Sequence, residues 1–345
     1  MKDKIQRILI DESQIPVSMQ VNTRYRSFSE QKTGIFNLVE RCRLEYPHAK
    51  IYYKHQNPLF TALFLKRNPD GFAHAEENVD LIFKPETETP WNLLTEIPGR
   101  IDTDISLHKE LKKWRSKFKV KLEEFSVIGK KKQLYIHPSA NIYPGVVFDV
   151  SSGPIVIDRH VRITPFSFLE GPLYIGENSM IDNARITGGC IIGHTCRIGG
   201  EVENSMIGNF SNKHHEGFLG HSFLGSWVNI GALATTSDLK NNYGFIRIKI
   251  GEEQINTETI KFGSIIGDFS KIGIGTMLNT GSVVDIACNL VGPGFSGYMP
   301  PFSWLQKDNR YRLDYFLENT KKVMARRDFT LSEEAEILLK NLYES

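Results

Sequence analysis

At 345 residues the chain can bury a sizeable core, and that length fits two domains or one domain joined to an extended repeat. Its 42 Lys and Arg nearly cancel its 40 Asp and Glu, and the net +2 gives no argument for nucleic acid or a membrane surface as partner. No apolar run approaches the ~18 residues needed to cross a bilayer, and the opening MKDKIQRILIDESQ has no signal-peptide core, so a cytoplasmic protein is expected. The four cysteines, Cys42, Cys190, Cys196 and Cys288, follow no metal-ligand spacing. Buried reduced thiols and no metal site are expected from them.

In chain order, residues 1–103 read as a small α/β domain. ILIDES, AKIYYKH and VDLIFK have the look of strands; IFNLVERCRLEY reads as an amphipathic helix ended at Pro47, and NPLFTALFLKRNP as a second helix. A lysine-rich stretch, ISLHKELKKWRSKFKVKLEEF, lies within a basic linker placed at 104–133, whose charges belong to a solvated face or, as the minority reading, to an anion or nucleic-acid surface.

From there the pattern changes. An aliphatic residue stands at every sixth position in Ile157, Ile163, Leu169, Ile175 and Ile181, and again in Ile266, Ile272, Leu278, Val284 and Leu290. Ile136, Ile142 and Phe148 form an earlier run, while Ile192, Ile198, Leu219, Leu224 and Ile230 keep the period with slips. Six fits neither a helix nor a plain strand; it fits short strands and turns winding into a triangular coil of about eighteen residues. The aliphatic is expected inside, and the glycine or aspartate that often follows it is expected to supply the turn conformation. This defines a mainly β chain, a parallel β-helix of hexapeptide repeats over 134–304. Residues 233–265 are too long for one coil and are expected to loop out. After it, GPGFSGYMPPFSW breaks the pattern and two helices are expected in 305–345, the second opened by a capping box of Thr330 and Glu333. They are placed over the open end of the column or against a neighbouring subunit.

The block IGGEVENSMIGNFSNKHHEGFLGHSFLGSWVNIGALATTSDLKNNYG resembles the acetyltransferase half of the bifunctional N-acetylglucosamine-1-phosphate uridyltransferase/glucosamine-1-phosphate acetyltransferases, in particular a divergent sugar nucleotidyltransferase-like branch. The resemblance implies a left-handed, homotrimeric β-helix binding acetyl-CoA between subunits. It puts the catalytic histidine on His215, whose family role is general base; His214 is left as a surface turn residue. An acceptor amine or hydroxyl attacking a thioester must lose a proton, and imidazole is the side chain suited to that near neutrality. Asn229 matches an asparagine that positions substrate, Lys213 is placed beside it as substrate-binding, and Ala232 and Ile274 match positions contacting acetyl-CoA. Asn242 and Tyr243 resemble a pair in a loop reaching a neighbouring subunit's site, with Arg247 or Lys249 as a substrate cation or a plain exposed strand face. Arg185 precedes Glu203 by eighteen residues, so the two are expected to stack, Arg185 holding a sugar phosphate or simply pairing with Glu203. In the family the second position is lysine, and a tyrosine stands where this chain has Phe218, which has no hydroxyl to donate.

The family's Gly-rich nucleotide loop has no counterpart, because ILIDESQIPVSMQVNTRYRSF contains no glycine. Arg24 alone faintly matches the divergent branch. The expectation is an acetyl-CoA-dependent acyltransferase acting on a sugar phosphate or sugar nucleotide. A degenerate binding or scaffold protein is the alternative, and residual magnesium-dependent nucleotidyltransferase chemistry is a third.

Overall fold

The computed structural model describes residues 4–73, 79–117 and 125–345. Residues 118–124 of the expected basic linker lie outside them. The expected linker residues before them, from 104 on, are helical, in the end of Ile97–Leu107 and in Lys109–Lys117.

The N-terminal strands assemble as a parallel sheet in the spatial order Phe72–Ala73, Lys50–Lys54, Arg7–Asp11, Leu81–Phe83. The helix Leu38–Glu45 starts where Asn37 accepts from the Glu40 amide while the Glu40 carboxylate receives the Asn37 amide, a reciprocal cap that fixes its first turn. Pro58–Arg67 is capped by Asn57.

Beyond Phe125 the chain winds through three faces of short parallel strands, coil upon coil. Ile155 pairs with Leu173 and Ser264 with Ser282, eighteen residues on in each case. Leu173 pairs with Cys190, seventeen on, and Ile191 with Met206, fifteen on, which is where the sixfold pattern slips. Ile157, Ile163, Leu169, Ile175, Ile181, Ile266, Ile272, Leu278, Val284 and Leu290 all point into one apolar core.

The turns work differently from the expectation. Gly193, Gly208, Gly225 and Gly267 are absent from the left-handed backbone positions; they are glycine because a Cβ would come within 2.4 to 2.7 Å of atoms in the adjacent coil. The left-handed residues follow two positions later and several are aromatic: Phe210 at φ +62, Trp227 at +62, Phe269 at +63. Each costs roughly 1 to 2 kcal/mol of backbone strain. Burying the rings offsets it, with Phe210 and Trp227 stacked 4.1 Å apart.

Those rings belong to one apolar cluster with Tyr25 and Phe64 of the N-terminal part and with Phe316 and Leu338 of the C-terminal helices Leu313–Ala325 and Glu333–Glu344. The helices therefore lie on the flank of the column, with Lys66 bonded to Glu334, rather than over an open end. The second is capped by Ser332, which accepts from the Ala335 amide; Thr330 is not the cap. The segment after Thr236 does leave the column but folds back: the antiparallel hairpin Arg247–Ile250 and Glu253–Asn256 buries Ile246, Ile248 and Ile250 in a cluster with Ile265 and Val283 of the third face.

Candidate active site

Register brings three of the sequence candidates, His215, Ala232 and Ile274, to one corner of the column. Asn212, Asn229 and Lys271 are paired neighbours in successive coils. Three residues further on, His215, Ala232 and Ile274 therefore occupy equivalent places, and the stacking continues in the bonds from the Leu233 amide to the Glu216 carbonyl and from the Gly275 amide to the Ala232 carbonyl, both 2.8 Å. His215 is exposed, and Ile274 is 77 % exposed.

The backbone behind the two histidines is tightly held. A Cβ on Gly199 would stand 2.1 Å from the His214 carbonyl oxygen, and one on Gly200 2.9 Å from that of His215. Lys213 fills the interior position between Ile198 and Ile230. At 2 % exposure its ammonium donates to the carbonyls of Gly199 (2.8 Å) and His215 (2.9 Å), so it supports the turn and does not reach a ligand as a substrate-binding cation would. Burial pushes its amine down to about 8.

His214 is no mere surface residue. Its Nε2 lies 2.8 Å from Asp182 Oδ2, while the Thr164 hydroxyl donates to Asp182 Oδ1 at 2.7 Å. These bonds hold the Asp182 carboxyl below its ordinary range, Thr164 contributing most. The two imidazoles stand 5.1 Å apart, centre to centre.

On the next face the expected pairing of Arg185 with Glu203 does not occur. That coil is seventeen residues long up to Asp182 and a bulge between Asp182 and Ala184 takes off one more, so Arg185 aligns with Glu201 and bonds it at 3.0 Å. Glu203 aligns with Thr187 and pairs instead with Lys261 at 3.2 Å. Phe218 aligns with Glu201 in the following coil. Beside them His221 Nδ1 lies 2.6 Å from Asp238 Oδ2 in a largely buried contact. Burial raises the Asp238 carboxyl, but the bond and charge of His221 together with the nearby Lys261 ammonium outweigh it and the net shift is downward.

The remaining candidates stand apart. Asn242 accepts from the Gly244 amide in an exposed turn with Tyr243, 67 % exposed. Arg247 and Lys249 occupy the solvent side of the hairpin that lies on the third face, Lys249 bonded to Glu252 at 3.1 Å. Within one chain these four are not part of the His215 corner. Arg24 is engaged with Asp285 at 2.7 Å. The pairs His214 with Asp182 and His221 with Asp238 were missed in the sequence, although separations of 32 and 17 residues place each pair at one corner once coil length is known.

No family model matches the chain. Part of the chain is similar to curated bifunctional GlmU proteins. That of Picosynechococcus sp. is 36% identical over 107 residues, 30% of this chain and 20% of the relative. The Bartonella bacilliformis protein is 29% identical over 166 residues, 46% of this chain and 35% of the relative. The chain thus spans about a fifth of the length of the first of these relatives. Among solved structures, a hexapeptide transferase family protein from Anaplasma phagocytophilum is 15% identical, covering 64% of this chain and 91% of that one, with a TM-score of 0.19. PerB from Caulobacter crescentus, solved with CoA and GDP-perosamine, is 13% identical with coverages of 85% and 91% and a TM-score of 0.16. Scores that low carry no weight, and it is the GlmU sequence similarity that does.

Proposed function

We propose that this chain transfers an acetyl group from acetyl-CoA to an amino or hydroxyl group of a sugar phosphate or sugar nucleotide, on a left-handed coil assembled as a trimer. The observation that carries the reading is the stacking of His215, Ala232 and Ile274 at one exposed corner of the column, in a chain that is in part similar to GlmU. His215 removes the proton from the acceptor as its nitrogen or oxygen attacks the thioester carbonyl. A C–N or C–O bond forms, the C–S bond breaks, and the imidazolium returns the proton to the departing thiolate. Exposed Leu233, Ile274, Met277 and Val291 beside this corner support burial against a second copy. Sedimentation at micromolar concentration is expected to give three times the 39.3 kDa chain mass; a monomer would remove the shared site.

A second assignment is favoured by the bond between His214 and Asp182, since an imidazole oriented by a carboxylate is itself a suitable base. Acetyl-transfer assays on His215→Ala and His214→Ala separate the two. The expected result is a loss of roughly 10² to 10⁴ for His215→Ala and a smaller loss for His214→Ala. The reverse order would move the base to His214. Calorimetry with acetyl-CoA tests the non-catalytic alternative, for which no binding is required.

A further inference from the structure

The first face of the column carries a polar ladder that the acyl-transfer reading leaves largely unused. Arg197, Asn212, Asn229 and Lys271 follow one another in register, all at the outward position of their strands. The end of the helix Leu313–Ala325 and the turn after it lean over this ladder, and Arg326 and Arg327 join it around a cavity of about 290 Å³ floored by Trp227. Phe329 pins the turn in place, its ring 4.5 Å from that of Phe210.

Four cations line this cavity and no carboxylate does. Their side chains have no ion-pair partner among the described residues, unlike Arg185, Lys261 and Lys321 elsewhere on the molecule. A cation at a helix C-terminus is favoured by the helix dipole, which accounts for Arg326 and Arg327 but not for Arg197 and Lys271, which stand on the column. The cluster is held together against repulsion. Burial lowers the Lys271 amine below its ordinary range, and burial together with Arg197 does the same to Arg327. Asn212 donates its amide to Asn229 Oδ1 at 2.7 Å, which leaves the Asn229 amide hydrogens as further donors.

We propose that this seam between column and C-terminal helix is a binding site for a phosphoric anhydride, the diphosphate of a nucleoside diphosphate or of coenzyme A. Guanidinium forks match phosphate oxygens in pairs, and a multiply charged anion relieves four like charges at once. The volume is at the lower end of the range for ligand sites, enough for the diphosphate with the rest of the ligand outside. Asn229 lines the cavity and lies three residues from Ala232, a span of at most about 10 Å, so the attached group is directed toward the His215 corner. That last link rests on the acyl-transfer reading; the anion site does not.

Calorimetric titration of the full-length protein with pyrophosphate, at constant ionic strength and with sulfate as control, tests the site. Pyrophosphate is expected to bind the wild type, and Arg197→Gln/Lys271→Gln to weaken it at least tenfold with an unchanged circular dichroism spectrum, while Lys307→Gln and His215→Ala bind as the wild type does. Displacement of pyrophosphate by UDP assigns the site to an acceptor nucleotide, and displacement by coenzyme A assigns it to the donor. No binding to the wild type, equal binding by the double variant, or equal binding of sulfate would overturn the proposal. Acetyl transfer measured on the same preparations stands apart: its absence with pyrophosphate binding intact would sink the acyl-transfer reading alone.

Discussion

Lys213 is a lysine in an aliphatic row, and its neighbours in register are isoleucines. The folded chain lowers its amine to about 8 from the ordinary 10.5, so between those values the unfolded chain holds a proton that the folded one has released. Unfolding free energy therefore rises with pH across that interval, by up to ~1.4 kcal/mol per unit. Replacing it as Lys213→Met removes the slope. Urea titrations from pH 7 to 11 are expected to show the wild type gaining on the variant above pH 8; a constant difference would mean the amine titrates as in water. The neutral amine retains two hydrogens for the Gly199 and His215 carbonyls, so the turn survives deprotonation. His215 stood out in the sequence because its neighbourhood resembles a family motif, and its proposed role awaits the assay above. The inward turn of Lys213 was not, since hexapeptide spacing slips in that coil and lysine is the residue one expects outside.

Among elements, the two exact sixfold runs correspond to coils of eighteen residues, and the irregular middle to coils of fifteen to seventeen. A periodic pattern reports register only while coil length is constant. A seventeen-residue coil and the bulge at Asp182 to Ala184 thus together replaced the expected partnership of Arg185 and Glu203 while leaving the inward aliphatics in place. The hairpin of the inserted segment alternates Arg247 and Lys249 outward with Ile248 and Ile250 inward. Its docking depends on that apolar side, so Ile248→Asp is expected to release it. Limited proteolysis should then cut between Thr236 and Phe262 while the rest of the chain stays folded; resistance equal to the wild type would show that the hairpin is held by something other than its isoleucines.

For the whole molecule, the α/β character of the N-terminal part and the two terminal helices were readable from local periodicity. Their fusion to the column was not, because Phe210, Trp227 and Phe269 look like ordinary turn-side aromatics until the rings meet Tyr25 and Phe329 across more than fifty residues of chain. Besides the bond of Lys66 to Glu334, Arg24 crosses this seam to Asp285, whose side chain is fully buried and also receives the Tyr298 hydroxyl at 2.8 Å. Arg24→Met leaves that carboxylate without a cation and is expected to cost about 3 kcal/mol in chemical denaturation. A change below ~0.5 kcal/mol would show that hydrogen bonds alone hold the carboxylate. With the seam shared by all parts, the wild type is expected to melt in one transition.

The pairing of Phe223 with Ile265 across the inserted segment shows that a coil can be interrupted by a long excursion while its rungs above and below remain aligned. The exposed tip between Ile250 and Glu253 is accordingly a natural splice point: a reporter peptide grafted there rides outside the stack, and the height of the structure is counted in rungs rather than in residues.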